Sequence, residues 1–183
     1  DFNLDLEARL KSHQVRTVHF ISPSIWAWRG ERIEKIKRAV DHVLCIFPFE
    51  PEIYARHGIA ATYVGHPLAD TIPLEVPRAA SRRALGLDAG ERVVALLPGS
   101  RRSEIQYIAP TLLEAAREMK RRRPELRFVL PAAPGLRPMI ETLLAEHAGG
   151  VGIRVLDGCS HEALAACDVT LIASGTATLE AAL

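Results

Sequence analysis

Two short segments carry side chains suited to holding an anion. Leu96-Leu97-Pro98-Gly99-Ser100-Arg101-Arg102-Ser103-Glu104 leads from an apolar run through a glycine-serine turn into a helical pattern. Gly99 lets a ligand approach the backbone, Ser100 and the first amides of the helix offer donors, and Arg101 or Arg102 adds a charged fork that fits phosphate. The competing reading is that Ser100 or Ser103 simply caps the helix, with Glu104 favourable in its first turn. Ile172-Ala173-Ser174-Gly175-Thr176-Ala177-Thr178-Leu179-Glu180 repeats the arrangement. Ser174, Gly175 and Thr176 form a small-residue turn that can cradle phosphate. Glu180, one turn further on, either accepts from two ribose hydroxyls or is a solvated helix residue. Neither segment has the GxGxxG pattern or a Walker lysine, so hydride transfer and P-loop ATP hydrolysis lose their main support.

A third segment, Ser22-Pro23-Ser24-Ile25-Trp26-Ala27-Trp28-Arg29, holds both tryptophans. Three uses stay open: stacking on a sugar, resting at a lipid interface, or capping a sheet edge against the next helix. That helix carries Arg29, Arg32, Lys35, Lys37 and Arg38 beside Glu31 and Glu34, which is either a patch for anionic lipid or a solvated face. Lys120 to Arg123 closes the long helix, where cations complement its dipole. Cys45, Cys159 and Cys167 are odd in number and lack ligand spacing, arguing against a disulfide framework and a zinc site. They read as reduced core or near-core thiols of a cytosolic compartment.

The elements that position these residues alternate. A helix around Leu4 to Leu10 precedes a strand over 15–21, a helix through Ile33, Ile36 and Val40, a strand over 42–47, a helix after Pro51 and a strand near 62–64. A stretch with Pro67, Pro73 and Pro77 then shows little periodicity and suits an interdomain connection. Beyond it the spacing predicts helices over 78–85, 103–122, 136–148, 161–166 and from 176, and strands over 92–97, 126–130, 153–156 and 169–172. Ile105, Ile108, Ala109, Leu112, Ala116 and Met119 define one face of the long helix. The strands after Arg92 are nearly continuous apolar runs, as in parallel strands covered on both sides. The class is α/β, with parts of two doubly wound, Rossmann-like domains, and ligands belong at the carboxyl ends of their strands.

Composition bounds the rest. The 183 residues are 48% hydrophobic and 25% charged, enough for a core and too balanced for a disordered chain. Lys plus Arg number 23 against 22 Asp plus Glu, with no basic arm or acidic tail, so any anion site is local and no nucleic-acid partner is expected. No apolar run reaches the roughly 20 residues of a membrane-spanning helix. The chain opens at Asp1 without Met and stops early in a helical pattern, so it is expected to be an internal piece of a longer protein.

Taken in order, DFNL at Asp1, SPSIWAWR at Ser22, FPFE at Phe47, VGHPLAD at Val64, LLPGSRRSEI at Leu96, LDG at Leu156 and ASGTATLEAAL at Ala173 resemble the bacterial lipid-A-disaccharide synthase family, glycosyltransferases of the two-Rossmann-domain GT-B type. The resemblance runs along nearly the whole chain. It implies residues 1–66 as the end of an acceptor-side domain, 67–91 as linker and first helix, and 92–183 as the start of the UDP-sugar-binding domain. It further implies inverting transfer of 2,3-diacylglucosamine from its UDP donor to the 6-hydroxyl of 2,3-diacylglucosamine 1-phosphate, giving a β-1,6 disaccharide and UDP. Neither cofactor nor metal is implied, and the setting is cytoplasmic, in peripheral contact with the inner-membrane surface. Gly99, Ser100, Arg101 and Glu104 would meet the diphosphate or donor, with Arg101 catalytic. Ser174, Gly175 and Thr176 would cradle phosphate, and Glu180 would bind ribose. The family's base is an Asp shortly before DFN, outside this chain, which leaves Asp1 as a weak substitute. The family's N-terminal glycine- and serine-containing loop, acyl-binding surface and returning C-terminal segment are also absent from these residues. Two other identities are possible: another UDP-sugar enzyme of this architecture, such as a peptidoglycan-lipid N-acetylglucosaminyltransferase or a UDP-N-acetylglucosamine 2-epimerase, or a non-catalytic nucleotide-sugar or lipid-binding module.

Overall fold

A computed structural model describes residues 2–182. Its contacts divide the chain into two units, the first ending at Thr71 and the second beginning at Ile72. The division falls inside the stretch expected as linker. Asp1 lies outside the described residues.

In the first unit, helix α1 (Phe2–Ser12) precedes strand β1 (Val18–Phe20), α2 (Ile33–Ala39), β2 (His42–Cys45), α3 (Glu50–Ala55), β3 (Ala61–Tyr63) and the short α4 (Pro67–Thr71). A 3-10 turn over Gly30–Arg32 leads into α2. The three strands are parallel in the order β1-β2-β3, with Val18 opposite His42 and Val43 opposite Ala61. Ile36, Ala39, Val43, Cys45 and Tyr54 form the buried centre, because the 3.6-residue spacing of α2 turns Ile33, Ile36 and Ala39 inward together. Residues 67–71, read as aperiodic, form the one-turn helix α4.

The second unit contains α5 (Arg78–Ala84), β4 (Val93–Leu97), α6 (Arg102–Arg122), β5 (Arg127–Ala132), α7 (Arg137–His147), β6 (Ile153–Asp157), α8 (Ser160–Ala166), β7 (Val169–Ile172) and α9 (Thr176–Ala182). Its strands are all parallel in the order β6-β5-β4-β7. Successive residues of β4 face opposite ways. Val94 and Leu96 join the core with Ile105, Ala109 and Leu113 of α6 and Ile140 of α7, whereas Val93, Ala95 and Leu97 join Leu85, Ala163 and Ala166 on the other side. Helices thus cover both faces, as the doubly wound reading requires. All five residues of β4 are buried, but β6 and β7, at the sheet's flanks, are only partly so, and Val169 is exposed. The expectation of strands covered on both sides therefore holds only for the central pair, β4 and β5.

Two details of α6 differ from its sequence pattern. Leu113, not Leu112, is buried with Ile105, Ala109 and Ala116, because positions i, i+4, i+8 and i+11 follow the helix's drift more closely over three turns. Pro110 sits inside the helix, where it removes one backbone donor. The carbonyl deprived of that donor belongs to Gln106, an exposed residue that water can serve.

Arg82 anchors α5. This arginine is 4% exposed, and it donates to the carbonyls of Ala166, Asp88, Ala89 and Glu91 and to the Asp168 carboxylate. Asp168 also accepts from the Val93 amide at 2.8 Å and pairs with Arg78. These donors hold the Asp168 carboxyl below its usual range, the Val93 hydrogen bond contributing most. Part of the expected linker is therefore stapled to the start of β4 and the end of α8.

Candidate functional site

After β4, β5 and β6 step outward in one direction, the chain returns to place β7 on the other side of β4. This reversal makes a topological switch point between β4 and β7, where Leu97 pairs with Ile172. The turns that leave those two strands are the two predicted from sequence. They line one open cleft of about 450 Å³, and Gly99, Ser100, Arg101, Glu104, Ser174, Gly175, Thr176 and Glu180 all face it. Separated by some 70 residues of chain, the two segments meet because a parallel sheet brings the carboxyl ends of neighbouring strands together.

The β4–α6 turn is closed by its own anion. Arg101 is the extended N-cap of α6, with φ −109° and ψ 148°. Glu104 folds back to accept from the amides of Ser100 at 2.9 Å and Arg101 at 3.1 Å, and from the Arg101 guanidinium at 2.5 Å. These hydrogen bonds, led by the Ser100 amide, hold its carboxyl below the usual glutamate range. Glu104 thus closes the turn in place of Ser100 or Ser103 and takes the two amides that precede the helix, those of Ser100 and Arg101. Gly99 follows from the same contact. Its φ is +118°, and a Cβ there would lie 2.6 Å from Glu104 Cβ, so the space expected for a ligand over the glycine is held by Glu104. The turn's donors converge on a carboxylate, the geometry an external anion would need.

The β7–α9 turn is pinned at its start by the Ala173 amide donating to the Leu97 carbonyl at 2.8 Å. Thr178 Oγ1 donates to the Gly175 carbonyl at 2.5 Å, steadying the first turn of α9. Glu180 presents a side chain only 20% exposed. Its Oε2 lies 3.4 Å from His161 Nε2 on α8, a neighbour that sequence reading did not single out. Nothing in Ser160-His161-Glu162 marks that histidine as more than an ordinary residue at a helix start.

The tryptophan segment belongs to the first unit. Ile25 anchors it in the core with Ile33 and Ile36. Trp26 rests edge-on against Phe47 and Phe49, with ring centroids 6.2 and 5.1 Å away, and Phe47 reaches His66 at 6.1 Å. The Trp26 indole N–H donates at 3.2 Å to Glu50, a buried carboxylate that also accepts from the amides of Ile46 and Phe47. Three strings of the family pattern, following β1, β2 and β3, therefore meet beyond the carboxyl ends of those parallel strands. Trp28 is exposed, with the Arg29 guanidinium 4.4 Å from its ring centre.

The remaining charged runs are engaged locally. Lys35 pairs with Asp5 at 2.7 Å, and Arg38 donates to the Glu34 carbonyl. Lys120 donates to the carbonyls of Pro124 and Leu126, closing α6 as expected, while Arg121 and Arg122 flank Glu118 and pull its carboxyl down to about 2. All three cysteines are free thiols, but Cys159 is exposed, because it occupies a left-handed turn (φ 59°) immediately before α8 instead of a packed position. Among the described residues no three His, Cys, Asp or Glu side chains come together as a metal-binding group, and no helix is long and apolar enough to cross a membrane.

Parallel sheet, two-sided helical cover and a polar cleft at the switch point define a doubly wound protein of the Rossmann type. Comparison with known proteins narrows this. The family model described as lipid-A-disaccharide synthetase matches residues 1–183. Proteins named lipid-A-disaccharide synthase are similar along the whole chain: 61% identical over 183 residues in Albidiferax ferrireducens, 57% over 185 in Verminephrobacter eiseniae and 53% over 184 in Burkholderia mallei. This chain belongs to the lipid-A-disaccharide synthetase family. It spans about half the length of these curated relatives, 47% in each case.

Proposed function

We propose that the complete protein is an inverting glycosyltransferase that moves 2,3-diacylglucosamine from UDP to 2,3-diacylglucosamine 1-phosphate, forming the β-1,6 disaccharide of lipid A. The observation that carries this reading is the gathering of both family turns, PGSR with Glu104 and ASGT with Glu180, in one cleft at the switch point of the second unit. In this reading residues 92–183 hold the UDP-sugar, 67–91 link the domains and 1–66 serve the acceptor. The enzyme works in the cytoplasm, peripherally on the inner-membrane surface.

The acceptor 6-hydroxyl attacks the anomeric carbon. Its proton passes to a base that the family resemblance places upstream of Asp1, and the anomeric C–O bond breaks with its electron pair leaving on UDP. Negative charge then concentrates on the diphosphate, so donors already aimed there lower the barrier. Arg101 is the charged donor at hand. A diphosphate taking the place of the Glu104 carboxylate would inherit the Arg101 guanidinium and the Ser100 and Arg101 amides. Ser174, Gly175 and Thr176 hold the other side of the phosphates, and Glu180 accepts from the ribose hydroxyls.

The test is transfer by the full-length protein from radiolabelled UDP-2,3-diacylglucosamine, compared with unacylated UDP-N-acetylglucosamine. Disaccharide formed from the acylated donor in strong preference is expected. Preference for the unacylated donor overturns the assignment.

A further inference from the structure

We infer that His161 is a positioning residue for Glu180, orienting its carboxylate toward the ribose of the bound nucleotide. The inference rests on the reading of Glu180 as the ribose acceptor. His161 stands in the first turn of α8 and Glu180 in α9, with β7 between them in the chain, so the contact is made by tertiary structure and not by helical spacing. His161 Nε2 is 3.4 Å from Glu180 Oε2. No other ion pair reaches Glu180 among the described residues.

The arrangement matters because of what a ribose-binding glutamate requires. To accept from two vicinal hydroxyls, the carboxylate must hold one orientation through three rotatable side-chain bonds, and an untethered side chain loses that freedom only when ligand binds. A donor on one oxygen removes part of this loss beforehand and leaves the second oxygen available. His161 Nε2, at ion-pair distance from one Glu180 oxygen, is the group that can supply it from the side of α8. The Glu180 side chain is 20% exposed and His161 51%, so the carboxylate is sheltered while the imidazole remains half in water. A pair this exposed adds little to folding. Loss of the imidazole should therefore register in ligand discrimination and not in stability.

The experiment uses full-length protein and two probes, UDP and 2′,3′-dideoxy-UDP, whose affinities are measured by calorimetry. The wild-type protein should prefer UDP by about tenfold or more, since hydrogen bonds to a charged acceptor are the strong ones. Glu180→Ala should abolish that preference. His161→Ala should reduce it several-fold while leaving dideoxy-UDP affinity and the melting temperature unchanged, and His161→Gln, which retains a donor, should recover part of it. An undiminished UDP preference in His161→Ala, with Glu180→Ala collapsing it, overturns the positioning role alone. Equal weakening of both probes in His161→Ala also overturns it, since a merely structural effect would not distinguish the ribose hydroxyls. No preference in the wild-type protein overturns the ribose assignment of Glu180 and this inference with it.

Discussion

Arg101 has a side chain 78% exposed and a single carboxylate partner, Glu104, so the fold gains little from its charge. The proposed reaction, by contrast, places it beside the leaving group. Arg101→Ala in the full-length protein should lower transfer by roughly 10²–10³-fold, the scale for removing one preorganised donor, with an unchanged melting temperature. Near-wild-type turnover in the radiolabel assay would remove Arg101 from the mechanism. Gly99 behaves in the opposite way: Gly99→Ala adds a Cβ that meets Glu104 Cβ, an atom too near the backbone to swing aside, at a φ that side chains avoid. It should lower stability by about 1–3 kcal/mol in urea unfolding. Both residues were legible in sequence because strand, glycine turn and helix follow one another within ten positions. The occupant of the turn was not, since Glu104 three residues beyond Arg101 reads equally as a first-turn acid or as the carboxylate that fills the nest. His161 was invisible for another reason: its partner is 19 positions away, and only the packing of α8 and α9 brings them together.

At the level of elements, hydrophobic period located nearly every helix and strand, because buried faces impose it directly. It could not place Arg82. In Arg78-Ala79-Ala80-Ser81-Arg82-Arg83 a solvated helix face is the ordinary expectation, and burial of Arg82 depends on carbonyls from two separate parts of the second unit, the loop before β4 and the end of α8. Replacing it with methionine leaves those carbonyls and part of Asp168 without a donor. Arg82→Met should destabilise the protein by about 3–5 kcal/mol, read as a lower urea midpoint; an unchanged midpoint would show that water serves the carbonyls as well. Asp168 adds a pH dependence of definite sign. Its folded-state carboxyl lies below the ordinary 3.8, so its stabilising contribution is complete above that value and drains away as pH falls through the lower folded one. The stability gap between wild type and Asp168→Asn, which has no carboxylate to protonate, should accordingly be widest at neutral pH and narrow as pH falls through that range in urea unfolding followed by circular dichroism; a gap that stays constant would remove Asp168 from the acid response.

Across the whole molecule, a balance of 23 basic and 22 acidic side chains conceals strong local pairing: the donors of one turn already converge on Glu104, and those at the base of the sheet on Asp168. The two units build separate cores, and only the second contains the cleft with both family turns. A glycosyl transfer needs more than a place for the nucleotide. It needs the acceptor sugar held with its hydroxyl in line and a base to receive the proton, and the proposed mechanism assigns that base to a residue outside these 183. Binding and turnover should therefore separate in the isolated chain. It should bind UDP measurably through the second unit, and the binding should weaken on Glu180→Ala. It should yield little or no labelled disaccharide under conditions where the full-length protein turns over freely. Transfer by the 183 residues at full-length rates would mean that a base within them suffices, and the assignment of proton removal to a residue before Asp1 would have to be abandoned.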